Sequence, residues 1–184
     1  MNRAVLIMAL VAVVAASSGY FLARSLGAPG ESVPMVEQTP STDELLGTRR
    51  PDFSLRALDG SRFSATDLDG QIWLLNFWAT WCKPCVEEMP MLSRLHGRGA
   101  GQGVNIVGIA LDDEERARQF AQDLGVSYPI LVGQTDVVLT GRRYGNSTGL
   151  LPFSVLIDAD GVIRWTKLGV LDRAELEQQI EMLK

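Results

Sequence analysis

Two cysteines, Cys82 and Cys85, are separated by two residues in Trp81-Cys82-Lys83-Pro84-Cys85, and they are the only thiols in the chain. At that spacing, where a strand hands over to a helix, the two sulfurs can close a small disulfide ring. The helix N-terminus then supplies backbone N–H groups and partial positive charge that favour a thiolate on the first sulfur. Cys82 is therefore expected to be the nucleophile. Cys85, one turn inside the helix, is expected to be shielded and to attack Cys82 once a substrate is attached through a mixed disulfide. Lys83 adds a nearby cation, and Pro84 suits a first helical turn because its missing N–H has no intrahelical partner there. A pair of buried, inert cysteines is the plain alternative; the strand-CxxC-helix context favours redox chemistry over it. With His96 as the only histidine, a four-ligand Cys/His zinc site cannot be assembled within one chain. No metal or bound cofactor is expected beyond the redox-active Cys82-Cys85 disulfide.

The elements that must hold this motif are visible in the hydrophobic pattern. Residues 72–78 form a short, nearly continuous apolar run, as in a strand buried on both faces, and 104–111 form a second. Between them 84–96 reads as a helix, and 113–124 reads as another, with Ala117, Phe120, Ala121 and Leu124 on one stripe. Upstream, 53–55 and 62–64 flank Leu58-Asp59-Gly60 as an opening hairpin. Downstream, 153–157 and 162–166 flank Asp158-Ala159-Asp160-Gly161 as a second hairpin, and 171–183 closes the chain as an amphipathic helix. The implied architecture is α/β, a mixed sheet with an antiparallel edge and helical cover.

The N-terminus differs from the rest. Residues 4–22 carry no charge and are bracketed by Arg3 and Arg24, long enough to span a membrane with little tilt. Residues 1–24 read as a transmembrane anchor, with a cleavable signal peptide as the alternative because 15–18 are small. Acidic residues follow Arg24, which places the bulk of the chain outside the cytoplasm. Residues 25–50, with Pro29, Pro34 and Pro40, read as a flexible linker, leaving 51–184 as one folded domain. The net charge of −5 argues against a nucleic-acid partner.

Asn76-Phe77-Trp78-Ala79-Thr80-Trp81-Cys82-Lys83-Pro84-Cys85, followed by Glu87-Glu88-Met89-Pro90, resembles the active-site stretch of the membrane-anchored thioredoxin-like reductases of the bacterial periplasm, the TlpA/ResA group. The likeness runs from Pro51-Asp52-Phe53 to the final helix. It implies a thioredoxin fold with an N-terminal β-hairpin extension, an inner-membrane tether, and reduction of disulfides in oxidised client proteins. Electrons would come from a membrane-embedded reductase. It also assigns a cis peptide to Pro152, which would present the Leu151 backbone as an edge for an extended substrate. Relatives often carry Thr or Val where this chain has Leu151. Trp81 is expected at the rim of the site, offering apolar area, and Trp78 in the core.

Thioredoxins keep a buried aspartate six residues before the first cysteine, where this chain has Asn76. An amide cannot act as the base. The resemblance moves that role to Glu88, one turn after Cys85 on the same helical face, against the alternative that Glu87 and Glu88 are solvated residues of a helix start. Pro90 is expected to kink its helix. Met89 and Met91 read as core filler, His96 as a solvated residue, Asp112 to Glu115 as an acidic helix start, and Arg142-Arg143 as a helix end.

These readings converge on a membrane-tethered thiol-disulfide oxidoreductase acting as a reductant. A copper-delivery module is the alternative from another class, weakened by the lack of any histidine after His96. A thiol peroxidase is weaker still, because Leu75 and Ala79 occupy the stretch where peroxide-polarising residues would stand. Strong oxidants carry a histidine between their cysteines, and Lys83-Pro84 has none, so the Cys82 thiolate is stabilised only moderately. Equilibration with glutathione should give a reduction potential below about −200 mV; a value of about −120 mV excludes the reductant assignment.

Overall fold

The computed structural model describes residues 39–96 and 104–184. The anchor expected over 1–24 and the start of the linker lie outside the described residues. Among the described residues, no helix is long and apolar enough to cross a membrane. In chain order the elements are α1 (Thr42–Leu45), β1 (Ser54–Ala57), β2 (Arg62–Ser64), a 3-10 turn (Ala65–Leu68), β3 (Trp73–Trp78), α2 (Lys83–His96), β4 (Asn105–Leu111), α3 (Glu114–Asp123), β5 (Ile130–Gly133), α4 (Thr135–Arg143), β6 (Phe153–Ile157), β7 (Ile163–Leu168) and α5 (Arg173–Glu181).

The strands form one sheet in the order β2-β1-β5-β4-β3-β6-β7. β3, β4 and β5 run parallel, while β6, β7 and the β1/β2 hairpin join antiparallel on either side. This is the expected thioredoxin-like α/β arrangement with its hairpin extension. Every residue of β3 is buried, because a central strand with both faces covered has no solvent side. Successive side chains alternate between the faces. Leu74 and Trp78 join Ile106, Met89, Leu92 and Leu176 in one core, while Leu75 and Phe77 join Val107, Val155, Val137 and Tyr144 in the other.

Three features depart from the sequence expectations. Residues 39–50, assigned to the flexible linker, belong to the domain. Ser41 and Glu44 form a reciprocal capping box on α1, with Ser41 N–H donating to the Glu44 carboxylate at 2.7 Å. Residues 47–50 then line the outer edge of β7: Gly47 N–H donates to the Ile163 carbonyl at 2.8 Å and Ile163 N–H to the Thr48 carbonyl at 2.9 Å. The Arg50 side chain is buried and pairs with Asp69 at 2.6 Å. Second, β5 and α4 supply a strand and a helix to a stretch that the apolar pattern left unassigned. Third, His96 is half-buried rather than solvated: its Nδ1 accepts from Ile106 N–H at 3.1 Å, and its ring stands edge-on to Tyr128. That bond docks the end of α2 on β4, and burial pushes the imidazole's pKa down, favouring the neutral acceptor form.

The turn that positions the cysteines follows from the parallel pairing of β3 and β4, which brings their C-terminal ends side by side. Asp112, just past β4, accepts from the Thr80 N–H at 3.0 Å and its hydroxyl at 2.6 Å, and also from Asp113 N–H at 2.9 Å. Cys82 N–H closes the turn on the Ala79 carbonyl at 3.1 Å. Burial pushes the Asp112 carboxyl up, but the Thr80 bonds, the Asp113 N–H and Arg116 outweigh it and hold the group below the ordinary aspartate value of 3.8. A carboxyl depressed by folding contributes stability that is present above 3.8 and lost as pH falls through the folded value. Asp112→Asn should therefore cost about 1–3 kcal/mol at pH 7, read from urea midpoints, with the deficit shrinking in acid. Equal midpoints at pH 7 would show that the clamp contributes nothing.

Candidate active site

Cys82 stands immediately before α2 and its carbonyl accepts from Val86 N–H at 3.3 Å, so it occupies the cap of the helix that begins at Lys83. Cys82 and Cys85 are joined in a disulfide with their Cα atoms 5.3 Å apart. The two sulfurs are not equivalent: Cys82 keeps 6 % of its surface exposed and Cys85 none. Pro84, half-buried, sits in the first turn, where α2 has no use for its N–H. Lys83 is exposed and reaches Glu87 along the helix at 3.9 Å, and Glu87 is exposed as expected. Pro90 lies inside α2 and returns no N–H to Val86, yet the helix continues to His96.

The expected rim is assembled from separate parts of the chain. Trp81 is 66 % exposed beside Cys82, while Trp78 is fully buried. The Leu151-Pro152 peptide is cis. Phe77 pairs antiparallel with Phe153, and continuing that register sets Leu151 opposite Ala79, three residues from Cys82. Among the described residues the Leu151 N–H and carbonyl have no backbone partner, so both are free to pair with another chain. Gly169 N–H donates to the Pro152 carbonyl at 2.8 Å, bringing the end of β7 to the same place. Leu150, Leu168 and Val170 are exposed there, and their part in the rim was missed from sequence. The signal was present in the apolar Leu168-Gly169-Val170, at and just beyond the end of β7.

Glu88 is buried, not solvated. Its Oε1 accepts from Asn76 Nδ2 at 2.8 Å, and its Oε2 accepts from the Leu171 N–H at 3.0 Å. Asn76 Nδ2 also donates to Ser154 Oγ at 3.0 Å. Burial pushes the Glu88 carboxyl up, and the bonds from Leu171 and Asn76 only partly offset it. Tyr128, near Glu88, has a phenol raised by burial and by the Glu88 charge. The helix that carries the enclosed thiol thus also carries, one turn further on, an enclosed carboxyl disposed to take up a proton. Met89 is buried in the core beside them and Met91 packs against it. A cleft of about 370 Å³ lies between the Leu58-Asp59 turn, α3 and the loop before β5, and no residue of the disulfide site lines it.

The geometry agrees with what known proteins resemble this chain. The model of the AhpC/TSA family matches residues 46–166. The thiol-disulfide oxidoreductase ResA of Geobacillus thermodenitrificans is 35 % identical over 147 residues, covering 79 % of this chain and 82 % of that protein. The thioredoxin-like protein YneN of Bacillus subtilis is 34 % identical over 140 residues, covering 74 % of this chain and 79 % of that protein. A crystal structure of a thioredoxin-family thiol:disulfide interchange protein from Chlorobium tepidum aligns with a TM-score of 0.65 at 28 % identity, covering 74 % of this chain and 96 % of that one. The motif, the fold and these likenesses agree: the chain belongs to the AhpC/TSA family, as a thiol-disulfide oxidoreductase of the ResA kind.

Proposed function

We propose that the protein is an extracytoplasmic reductant of disulfides in client proteins, tethered to the bacterial inner membrane by residues 1–24. The observation that carries this reading is the asymmetry of the pair. One sulfur is at the helix cap beside an apolar rim, and the other is enclosed one turn from a buried carboxyl. In the dithiol form the Cys82 thiolate attacks a client disulfide, forming a Cys82-client mixed disulfide and releasing one client thiolate. Cys85 then gives its proton to Glu88 and attacks the Cys82 sulfur. The Cys82-Cys85 disulfide forms, the second client sulfur leaves as thiolate, and the proton passes from Glu88 to it or to water. Two electrons have moved from protein to client. A dithiol of a membrane-embedded reductase restores the starting state by the same exchange run in the opposite sense.

Trp81 and Pro84 would contact the client beside Cys82. Leu151, followed by Pro152, would pair with an extended client segment through its backbone, and such pairing gives affinity with little sequence selectivity.

The two thiols and the carboxyl are separable in rapid-mixing experiments with a disulfide peptide. Cys85→Ser should accumulate covalent adducts that dissolve on adding a small-molecule reductant, and Cys82→Ser should trap nothing. Glu88→Gln should slow adduct decay about 10-fold near neutral pH while adduct formation changes little. Because the Glu88 pKa is raised and the ionised form takes the proton, adduct decay in the native sequence should accelerate through a midpoint above the ordinary glutamate value of 4.5. Equal slowing of both steps would make Glu88 a general electrostatic influence, and no slowing of either would remove it from the mechanism.

A further inference from the structure

Asn76 replaces an acid with an amide at a fully buried place on the central strand, and its two polar atoms are used unequally. Nδ2 donates to Glu88 Oε1 at 2.8 Å and to Ser154 Oγ at 3.0 Å, while Oδ1 has no hydrogen-bond partner among the described residues. Asn76 and Ser154 are directly paired across β3 and β6, so the hydroxyl is fixed beside the amide. A carboxamide has donors on one side and an acceptor on the other, and half a turn about its terminal bond exchanges them. With Glu88 ionised, the observed orientation is the favoured one, because turning the amide over would set Oδ1 against a carboxylate oxygen. With Glu88 protonated, the reversed orientation lets both the Glu88 O–H and the Ser154 O–H donate to Oδ1.

We propose that Asn76 is a positioning residue of the resolving step, its amide donating to Glu88 while that carboxyl is ionised and turning over to accept from it once Glu88 holds the proton taken from Cys85. The proposal rests on the reading of Glu88 as the proton acceptor. Oε2 remains occupied by the Leu171 N–H in both states, so the proton resides on Oε1. Ser154 follows by rotating its hydroxyl from acceptor to donor. The step balances: Cys85 loses the proton that Glu88 gains, the Cys82-client bond breaks as the Cys82-Cys85 bond forms, and no electrons pass through Asn76. The groups that face Glu88 from its surroundings are Asn76 on β3, the Leu171 N–H after β7 and the phenol of Tyr128 before β5, with Cys85 one turn back on its own helix. Of these the amide is the group hydrogen-bonded to Oε1, and it can serve both protonation states without a charge of its own. An aspartate at 76 would set two carboxyls 2.8 Å apart and force them to share one proton.

The test needs no variant at first. In the oxidised full-length protein no thiol titrates, so the Glu88 carboxyl and the Asn76 side-chain amide can be followed by NMR against pH. The amide resonances should move with the same midpoint as the Glu88 carboxyl, and the contact from the Asn76 amide hydrogens to the Ser154 β-hydrogens should fade on the acid side. An amide that stays still while Glu88 titrates overturns the proposal. Asn76→Leu should then raise the midpoint of the pH profile for adduct decay by about one unit or more, the loss of a hydrogen bond to a charged group. A merely structural role would lower the rate at every pH with the midpoint unmoved. If the Asn76→Leu shift survives in Glu88→Gln, Asn76 acts through another group and the assignment fails. If Glu88→Gln alone leaves adduct decay unchanged, the reading of Glu88 fails instead, whatever the amide does.

Discussion

Enclosing a carboxyl group costs several kcal/mol unless hydrogen bonds replace the water it leaves, and Glu88 meets that constraint by drawing on three elements at once. β3 supplies Asn76, α2 carries the carboxyl itself, and the turn between β7 and α5 supplies the Leu171 N–H. None of these groups is interchangeable with a neighbour. Asn76 is on the α2 face of β3 because side chains alternate along the strand, with Leu74 and Trp78 on the same side. A slip of one residue in β3 would bring Leu75 to the carboxyl and leave it without a donor. The register of the central strand, the depth of α2 and the path of the chain after β7 are thus fixed together, and the disulfide one turn from Glu88 inherits that rigidity.

The same economy governs the edges. A seven-stranded sheet presents two outer strands, β2 and β7, and an uncovered edge invites pairing with other chains. Residues 47–50 cover part of the β7 edge with backbone hydrogen bonds, and the buried Arg50 side chain, paired with the exposed Asp69, fastens the cover to the chain beside the 3-10 turn. On the other side, the hairpin keeps β5 from being an edge, through the antiparallel pairing of Arg56 with Val132 and Ala57 with Leu131. What remains exposed near the cysteines is a short stretch of backbone at Leu151.

The redox pair was legible in the sequence because it depends on local spacing: two thiols three positions apart at a strand-to-helix junction. The buried strands were legible because a short, continuous apolar run must be enclosed on both faces. What escaped depends on contacts distant in the chain. Asp112 looks like any acidic residue at a helix start, and only the parallel pairing of β3 and β4 brings it to Thr80. His96 looks like a polar residue at a helix end until β4 offers it the Ile106 N–H. β5 has four residues, too few for periodicity to speak. α1 is hidden among prolines and glycines, although Ser41 followed three residues later by Glu44 was a readable capping signal.

The segment 169–171 links the rim to the enclosed acid. Its first residue donates a backbone bond to Pro152, its second exposes an apolar side chain at the rim, and its third donates to the buried Glu88 carboxylate. Three consecutive residues therefore touch the exposed apolar rim and the acid behind it. Gly169, with φ of +98°, turns the chain out of β7 so that the Leu171 N–H can reach inward, in a conformation that a residue with a side chain adopts only under strain. The position of the acid and the shape of the rim are thus set by one short piece of backbone, and a change at either end must be accommodated at the other.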